Sequence, residues 1–378
     1  MRIKITENRE EMSKIGRNLA RLTRADITSD KYKDYRDDLD ILYPKYGGGG
    51  GTESLEDAFY AWLYDFWVYG VNVREEYFYD FPHKTHEEKS KYITRSNRFR
   101  YYEMLNDRED SIIIKHKFKT YEKFSEYFKR DVIEITKNDD YDAFVEFAHK
   151  HPKFIVKPDN LGLGMGIHIV DTSDKDLDAL FKSFLNEIEV NRGKSEEAES
   201  SIVLEELIVQ DEAFEKLYPK AVNIIRITTI MIDGAPKFLD AWLRVGMGGY
   251  DITAANLAEL YCGVDIDTGV VATDGFTELY GSYEFHPDTN VRFKGYQIPK
   301  WDNLLKVSKE LAYVLPSVRY VGWDMALTEN GWVLVEGNEN GEFLGQLVFG
   351  TPYKEMVNKM IGAEDDGSFW WEKRPRWV

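Results

Sequence analysis

The segment Gly322–Asn338, GWDMALTENGWVLVEGN, limits the fold more than any other part of the chain. Two runs rich in aromatic and aliphatic residues meet at Thr-Glu-Asn-Gly, the chemistry of a tight hairpin, so the chain must contain an antiparallel sheet. A three-residue loop of Glu329, Asn330 and Gly331, with Gly331 left-handed, pairs Thr328 with Trp332 and Asp324 with Glu336. Asn338 then falls two residues further along, on the face of Glu336. Two carboxylates opposed across a ladder repel. A hard divalent cation removes that conflict, because Mg2+ takes oxygen ligands and keeps positions for water and phosphate. The plainer alternative is a wet sheet face with its acids solvated or paired with lysines. The intervening Val333, Leu334 and Val335 favour the metal.

Composition narrows the function classes. The 378 residues suffice for two or three packed units. No run approaches the roughly 18 apolar residues of a membrane span. The opening Met1-Arg2-Ile3-Lys4 leads into polar residues with no secretory apolar core. A single cysteine, Cys262, excludes an internal disulfide and suits a reducing compartment, so the expected location is cytoplasmic. The formal net charge of −18 argues against a nucleic-acid binder, which needs a basic face. A nucleotide remains admissible if a small cationic pocket and a divalent metal share its charge.

Four segments are expected: a mainly helical region over 1–110, two α+β lobes over 111–208 and 209–362, and a tail over 363–378. Thr52 to Gly70 opens with a capping-box pattern at Thr52 and continues as an aromatic helix. Gly47 to Gly51 form an unbroken glycine run that reads as a flexible link. Helices are expected over 120–128, 141–149, 177–188 and 301–315, and strands over 154–156, 167–170 and 202–204. Asn223–Met231 and Lys237–Val245 read as paired strands turning at Asp233-Gly234. Strands and helices mix without βαβ spacing, which makes the fold class α+β. The tail SFWWEKRPRWV is expected to dock on the body.

In FIVKPDNLGLGMGIHIV, residues 154–170, Gly162, Gly164 and Gly166 alternate between two strands. Neither GxGxxG nor GK[ST] is present, so the dinucleotide and P-loop fingerprints fail. Such glycines can instead fold over phosphates, with Lys157 supplying a point charge. A plain glycine-rich hairpin with a snorkelling lysine is the competing reading. Asp240, Trp242 and Arg244 share one strand face, with Leu239, Ala241, Leu243 and Val245 on the other. Arg226 interrupts the apolar NIIRITTI. Either arginine alone fits a structural ion pair; both beside a metal hairpin suggest anion handling. His83 and His86 have no partners for a zinc site, and no GxSxG occurs.

At these residues the chain resembles the ATP-grasp superfamily, in particular the sugar-transfer-associated ATP-grasp proteins. The resemblance runs over roughly 60–360 through KHKFKTYEKFSEYFKRDV, FIVKPDNLGLGMGI, VLEELIVQ, AVNIIRITT, LRVGMGG, VDIDTGVV and GWDMALTENGWVLVEGNEN. It implies two α+β lobes clamping ATP, with a helical N-terminal region alongside. Lys117 and Lys157 correspond to the phosphate-binding lysines, with Lys119 able to displace Lys117. Glu205, Glu206 and Ile208 correspond to the hinge that reads adenine, and Glu212 to a ribose ligand. Arg244 corresponds to the arginine at the transferring phosphate, and Asp324, Glu336 and Asn338 to the metal triad. Arg226 and Asn256 fall on the acceptor side, where AANLAELYCGVD departs from a more glycine-rich pattern. The implied cofactors are ATP and one or two Mg2+ ions, with Mn2+ able to substitute. The implied chemistry is a carbon–nitrogen ligation through an acyl-phosphate, on small-molecule acid and amine substrates. A sugar acid or glycan precursor is the expected substrate, in polysaccharide biosynthesis. A kinase, an amino-acid or peptide ligase, and a non-catalytic nucleotide-binding module remain alternatives.

Overall fold

The computed structural model describes residues 3–24, 27–47, 53–159, 165–192, 201–251, 259–277, 281–365, 367 and 369–373. The chain divides into two units. One comprises Met1–Leu105, Phe276–Ser282 and Glu342–Val378; the other comprises Asn106–Gly275 and Tyr283–Gly341.

The first unit is helical. Its Arg9–Thr23 and Leu55–Tyr69 helices pack closely. They can do so because Gly16 has no side chain: a Cβ there would lie 1.9 Å from the Tyr60 carbonyl oxygen. The second helix starts at Leu55, capped by the Ser54 hydroxyl, which accepts from Asp57 N–H. The expected cap Thr52 lies outside the described residues. Ser54 wins because Asp57 stands three residues on and receives the Ser54 hydroxyl in turn. The aromatic run is core: Phe59, Trp62 and Tyr64 are fully buried. The tail docks, Trp370 Nε1 donating to Phe66 O (2.7 Å) and Trp371 Nε1 to Trp67 O (3.1 Å).

The second unit holds two antiparallel sheets. The smaller orders its strands β1-β4-β2-β3, with β1 Val132–Ile135, β2 Lys153–Pro158, β3 His168–Asp171 and β4 Ile202–Glu206. Phe154, Val156, Ile202 and Leu204 on one face pack under the Tyr141–Lys150 and Leu177–Arg192 helices. Alternation sends Lys157 and Glu205 to the opposite face.

The larger sheet runs β11-β10-β5-β6-β7 through its long strands: β5 Ile224–Ile232, β6 Ala235–Gly246, β7 Glu259–Gly263, β10 Tyr320–Thr328 and β11 Gly331–Asn338. The chain passes between the units near two short strands, β8 Gly275–Thr277 and β9 Gly281–Tyr283. β5 and β6 turn at Asp233 (φ +50°) and Gly234 (φ +76°), as Asp-Gly predicts. One face, with Ile225, Ile227, Leu243, Met325, Trp332 and Leu334, builds the main core with the Trp301–Val314 helix.

Two bulges correct the strand reading. β6 carries an extra residue, Leu239, opposite the Thr228–Thr229 step of β5, and Phe238 packs against the core where strict alternation favours Leu239. In the 322–338 hairpin the turn has two residues, not three, so Thr328 pairs with Gly331 and Leu327 with Trp332. A bulge at Val335 then restores Asp324 opposite Glu336. Without it, Trp332 and Leu334 would share a face with Glu336. Burying those two apolar side chains in the core, at 1% and 0% exposure, outweighs a regular ladder.

Candidate functional site

The face of the larger sheet turned away from its main core carries charge. Asp324 pairs with Arg226 on β5 and Glu336 on β11, and Asn338 lies two residues beyond Glu336, opposite Gly322. The three oxygen-bearing side chains therefore share one face. The Asn338 amide donates weakly to Glu336 Oε1 (3.4 Å). Asp324 is 1% exposed and bound by two arginines. Arg226 Nε donates to Oδ1 and Nη2 to Oδ2 (2.7 Å), while Arg244 Nη1 reaches Oδ2 (3.1 Å). Burial would raise the Asp324 carboxyl, but Arg226 and then Arg244 overcome it and hold it below the usual range. Arginines as well as a metal can thus relieve the opposed carboxylates. Arg244 also grips Glu259 Oε2 through Nε (2.9 Å) and Nη2 (2.8 Å).

The smaller sheet supplies the second group. Lys157 Nζ lies 2.8 Å from Glu205 Oε1, and Arg130 Nη2 lies 2.6 Å from Glu205 Oε2. Burial works against this carboxylate, yet Arg130 and Lys157 bring its pKa to about 2. Arg130 Nη1 also donates to Leu334 O (2.6 Å), tying the pair to β11. Lys117, at the start of the Lys117–Phe128 helix, donates to Asp159 O (3.2 Å). Burial pulls its ammonium below the ordinary value, against the opposing field of Glu336. Lys119 points into solvent, which leaves Lys117 as the lysine turned toward Lys157 and Glu336.

Past Glu205 the chain turns outward. Glu206, Ile208 and Glu212 line a cavity of about 650 Å³ with Phe128, Arg130 and Val333. Ile208 packs on Ile224, Ala326 and Val333, an apolar bed beside the carboxylates. Glu212 opens a short helix and pairs with Lys216 (2.8 Å). None of Lys117, Lys157, Asp324 or Glu336 lines the cavity. Gly166 is left-handed (φ +75°), and a Cβ there would meet Pro158 Cγ at 2.7 Å. Gly162, Gly164 and Asn256 lie outside the described residues.

Several partners escaped sequence reasoning. Asp159 accepts from Phe118 N–H (2.9 Å) and pairs with His116 Nδ1 (2.6 Å), which fixes the start of the Lys117 helix. Burial opposes the Asp159 charge, but His116 and the Phe118 amide keep its pKa low. Arg130 and Glu259 are the other two; the available signal was a charge within the KHKFK…KRDV and AELYCG motifs. Cys262 is buried, and burial pushes its thiol well up, which is unlike a nucleophile. Asp131, His151 and Glu206 bring possible ligand atoms within 4.8 Å of one another. Asp131 there already pairs with His151 (2.7 Å) and Lys150.

Lys157 on the smaller antiparallel sheet, Lys117 at the start of a helix and an Asp–Glu–Asn oxygen set on the larger sheet are arranged as in the ATP-grasp class. The model for sugar-transfer associated ATP-grasp matches residues 96–360, and the chain belongs to that family, as an ATP-grasp enzyme of mixed α+β fold. No curated protein matches the sequence significantly. Similar solved structures include D-alanyl-alanine synthetase A from Vibrio cholerae, at 14% identity over 64% of this chain and 66% of that one, TM-score 0.37. The D-alanine–D-alanine ligase from Bacillus anthracis complexed with ATP shows 16% identity over 67% of each chain, TM-score 0.38. The VanG D-Ala:D-Ser ligase from Enterococcus faecalis shows 15% identity over 68% and 63%, TM-score 0.42. Among the described residues no helix is long and apolar enough to cross a membrane.

Proposed function

We propose that this enzyme is an ATP-dependent carboxylate–amine ligase. The observation that carries the reading is the shared sheet face on which Asp324, Glu336 and Asn338 stand beside Arg226 and Arg244. Lys117 and Lys157 bind the phosphates, with the Gly162–Gly164–Gly166 segment as a cover. Glu206 and Ile208, after Glu205 has anchored Lys157, hold the adenine, and Glu212 the ribose. The hard-oxygen donor set fits Mg2+, and Mn2+ would take the same ligands. The bound cation supplies screening of the phosphate oxygens. A substrate carboxylate oxygen attacks the γ-phosphorus, and the bond to the β,γ-bridging oxygen breaks with its electron pair leaving on ADP. An amine nitrogen then attacks the acyl carbon and loses a proton, and inorganic phosphate departs. Arg244 stabilises the phosphate charge, while Arg226 and Asn256 receive the acceptor.

For the substrate we infer a sugar acid joined to an amino acid or amine in polysaccharide biosynthesis. The family description supports the sugar, and the charge of −18 disfavours a long polyuronate, so a short or lipid-linked precursor fits. The buried single thiol suits the cytoplasm. The test incubates enzyme and Mg-ATP with amino acids, with and without uronate sugars, and reads products by mass spectrometry. An amide on the sugar acid with free phosphate supports the proposal. Amide between amino acids alone removes the glycan part. Phosphate left on the acceptor replaces the ligase with a phosphotransferase.

A further inference from the structure

Asp324 can receive about four hydrogen bonds or metal contacts through its lone pairs. Three are taken by guanidinium groups, two of them from the Arg226 fork. The two arginines are anchored differently. Arg244 keeps Glu259 whatever happens at Asp324. Among the described residues, Asp324 is the carboxylate ion-paired to Arg226, which otherwise rests over the Trp242 ring, 5.2 Å from its centroid. Gly322 makes the approach possible, since a Cβ there would stand 2.8 Å from Arg226 Cδ. Among the described residues no guanidinium fork holds Glu336 or Asn338; Asn338 bonds weakly to Glu336 and to the Gly322 carbonyl, and Glu336 shares a hydrogen bond with Asp324. The oxygen set is therefore lopsided: two members carry no guanidinium and the third is held by two.

We propose that Arg226 is a latch on Asp324, a positioning residue that competes with the divalent cation for the same carboxylate oxygens. The inference rests on reading Asp324, Glu336 and Asn338 as metal ligands. The cation loads well only when nucleotide phosphates add the negative charge that draws guanidinium away. Arg226, having no second carboxylate anchor, then turns to the incoming anion. Metal-nucleotide binding thereby prepares the acceptor side, and the acid substrate binds after ATP.

The probe is Mn2+, followed by the electron paramagnetic resonance of the free ion, with wild type, Arg226→Met, Arg226→Lys and Glu336→Gln. Each is titrated with and without a nonhydrolysable ATP analogue. Without nucleotide, Arg226→Met should bind Mn2+ on the order of tenfold more tightly than wild type, with Arg226→Lys between them. With the analogue, the gap should narrow. In wild type, the arginine Nε–H resonance of Arg226 should shift on adding Mg2+ with the analogue and stay fixed with analogue and EDTA. That measurement stands even if the methionine variant folds poorly. A methionine variant no tighter than wild type, or an Arg226 resonance unmoved by Mg2+ and analogue, overturns the latch while the metal reading survives. No Mn2+ binding by wild type even with the analogue, or binding that Glu336→Gln leaves unchanged, removes the metal reading and the latch with it.

Discussion

In the helical unit, Asp65 and Glu76 are buried side by side, with Lys89 reaching both oxygens of Asp65 (3.0 and 2.8 Å) and Arg9 shared between the two acids. Burial and then the Glu76 charge push the Asp65 carboxyl well up. Nearby Glu75, whose Oε2 accepts from Asn72 N–H (3.1 Å) and Arg95 N–H (3.0 Å), is raised by burial to about 7. In the sheet unit, Glu205 is buried like Asp65 and Glu76 but stands between Lys157 and Arg130, and its pKa falls to about 2. Asp324 stands likewise between two arginines. Acids crowd acids in the first region; signs alternate in the second. Desolvation wins in the first region, where Asp65 faces a second buried acid and shares Arg9 with it; pairing wins in the second, where two cations outweigh the burial of Glu205. Alternating pairs suit a site that must receive a polyanion, because each cation can exchange one anionic partner for another.

The sharpest way to break this comparison is at the open end of the oxygen set. Glu336→Gln should reduce ligation by about 100-fold or more. Its melting temperature without nucleotide should stay within about 2 °C of wild type, since among the described residues Glu336 makes no ion pair and an amide oxygen still accepts from Asn338. A matching fall in both readouts would make Glu336 structural. Next, Glu205→Gln should cost about 3 kcal/mol in denaturant unfolding at pH 7.5, because it leaves Lys157 and Arg130 without their carboxylate. Glu75→Gln should cost nothing there, as an amide oxygen accepts the same two N–H groups. Equal losses would erase the distinction between the regions.

The two acids also separate by pH. Glu205, depressed from 4.5 to about 2, contributes stability present above about 4.5 and lost as pH falls through about 2. Glu75, raised from 4.5 to about 7, contributes stability present below about 4.5 and lost as pH rises through about 7, at most about 3 kcal/mol. Wild-type minus Glu75→Gln stability should therefore decline between pH 4.5 and 7. A flat difference would place the Glu75 carboxylate in water. The smallest effect is expected at the hairpin turn: Gly331→Ala, at φ +99°, should cost about 1 kcal/mol in a thermal melt and leave Mn2+ binding in the presence of nucleotide unchanged.

The hairpins and amphipathic helices were legible because their signals are local. Asp233-Gly234 and Asn330-Gly331 demand left-handed backbone, and the Trp301–Val314 helix shows its apolar stripe directly. The opposition of Asp324 and Glu336 was also legible, although by a route with the wrong turn length. What could not be read were partners chosen by tertiary packing. Arg226 meets Asp324 across 98 residues, Arg130 meets Glu205 across 75, and His116 meets Asp159 across 43. Arg130, His116 and Asp159 read alone as ordinary surface charges, while Arg226, Glu205 and Asp324 stand out in the sequence without showing which residues they pair with. The Val335 bulge was hidden for a related reason: only the demand to bury both Trp332 and Leu334 while presenting Glu336 makes an extra residue necessary.

That bulge uncouples the length of the turn from the position of the carboxylates. A relative with one more residue in the turn and one fewer in the Val333–Val335 stretch would oppose the same Asp and Glu over the same sheet face. Insertion and deletion would cancel within eight positions, and a gapless alignment would pair Trp332 and Leu334 with residues from the wrong side of the strand. Substitution patterns in this strand therefore become interpretable only when counted back from Glu336, not forward from Gly331.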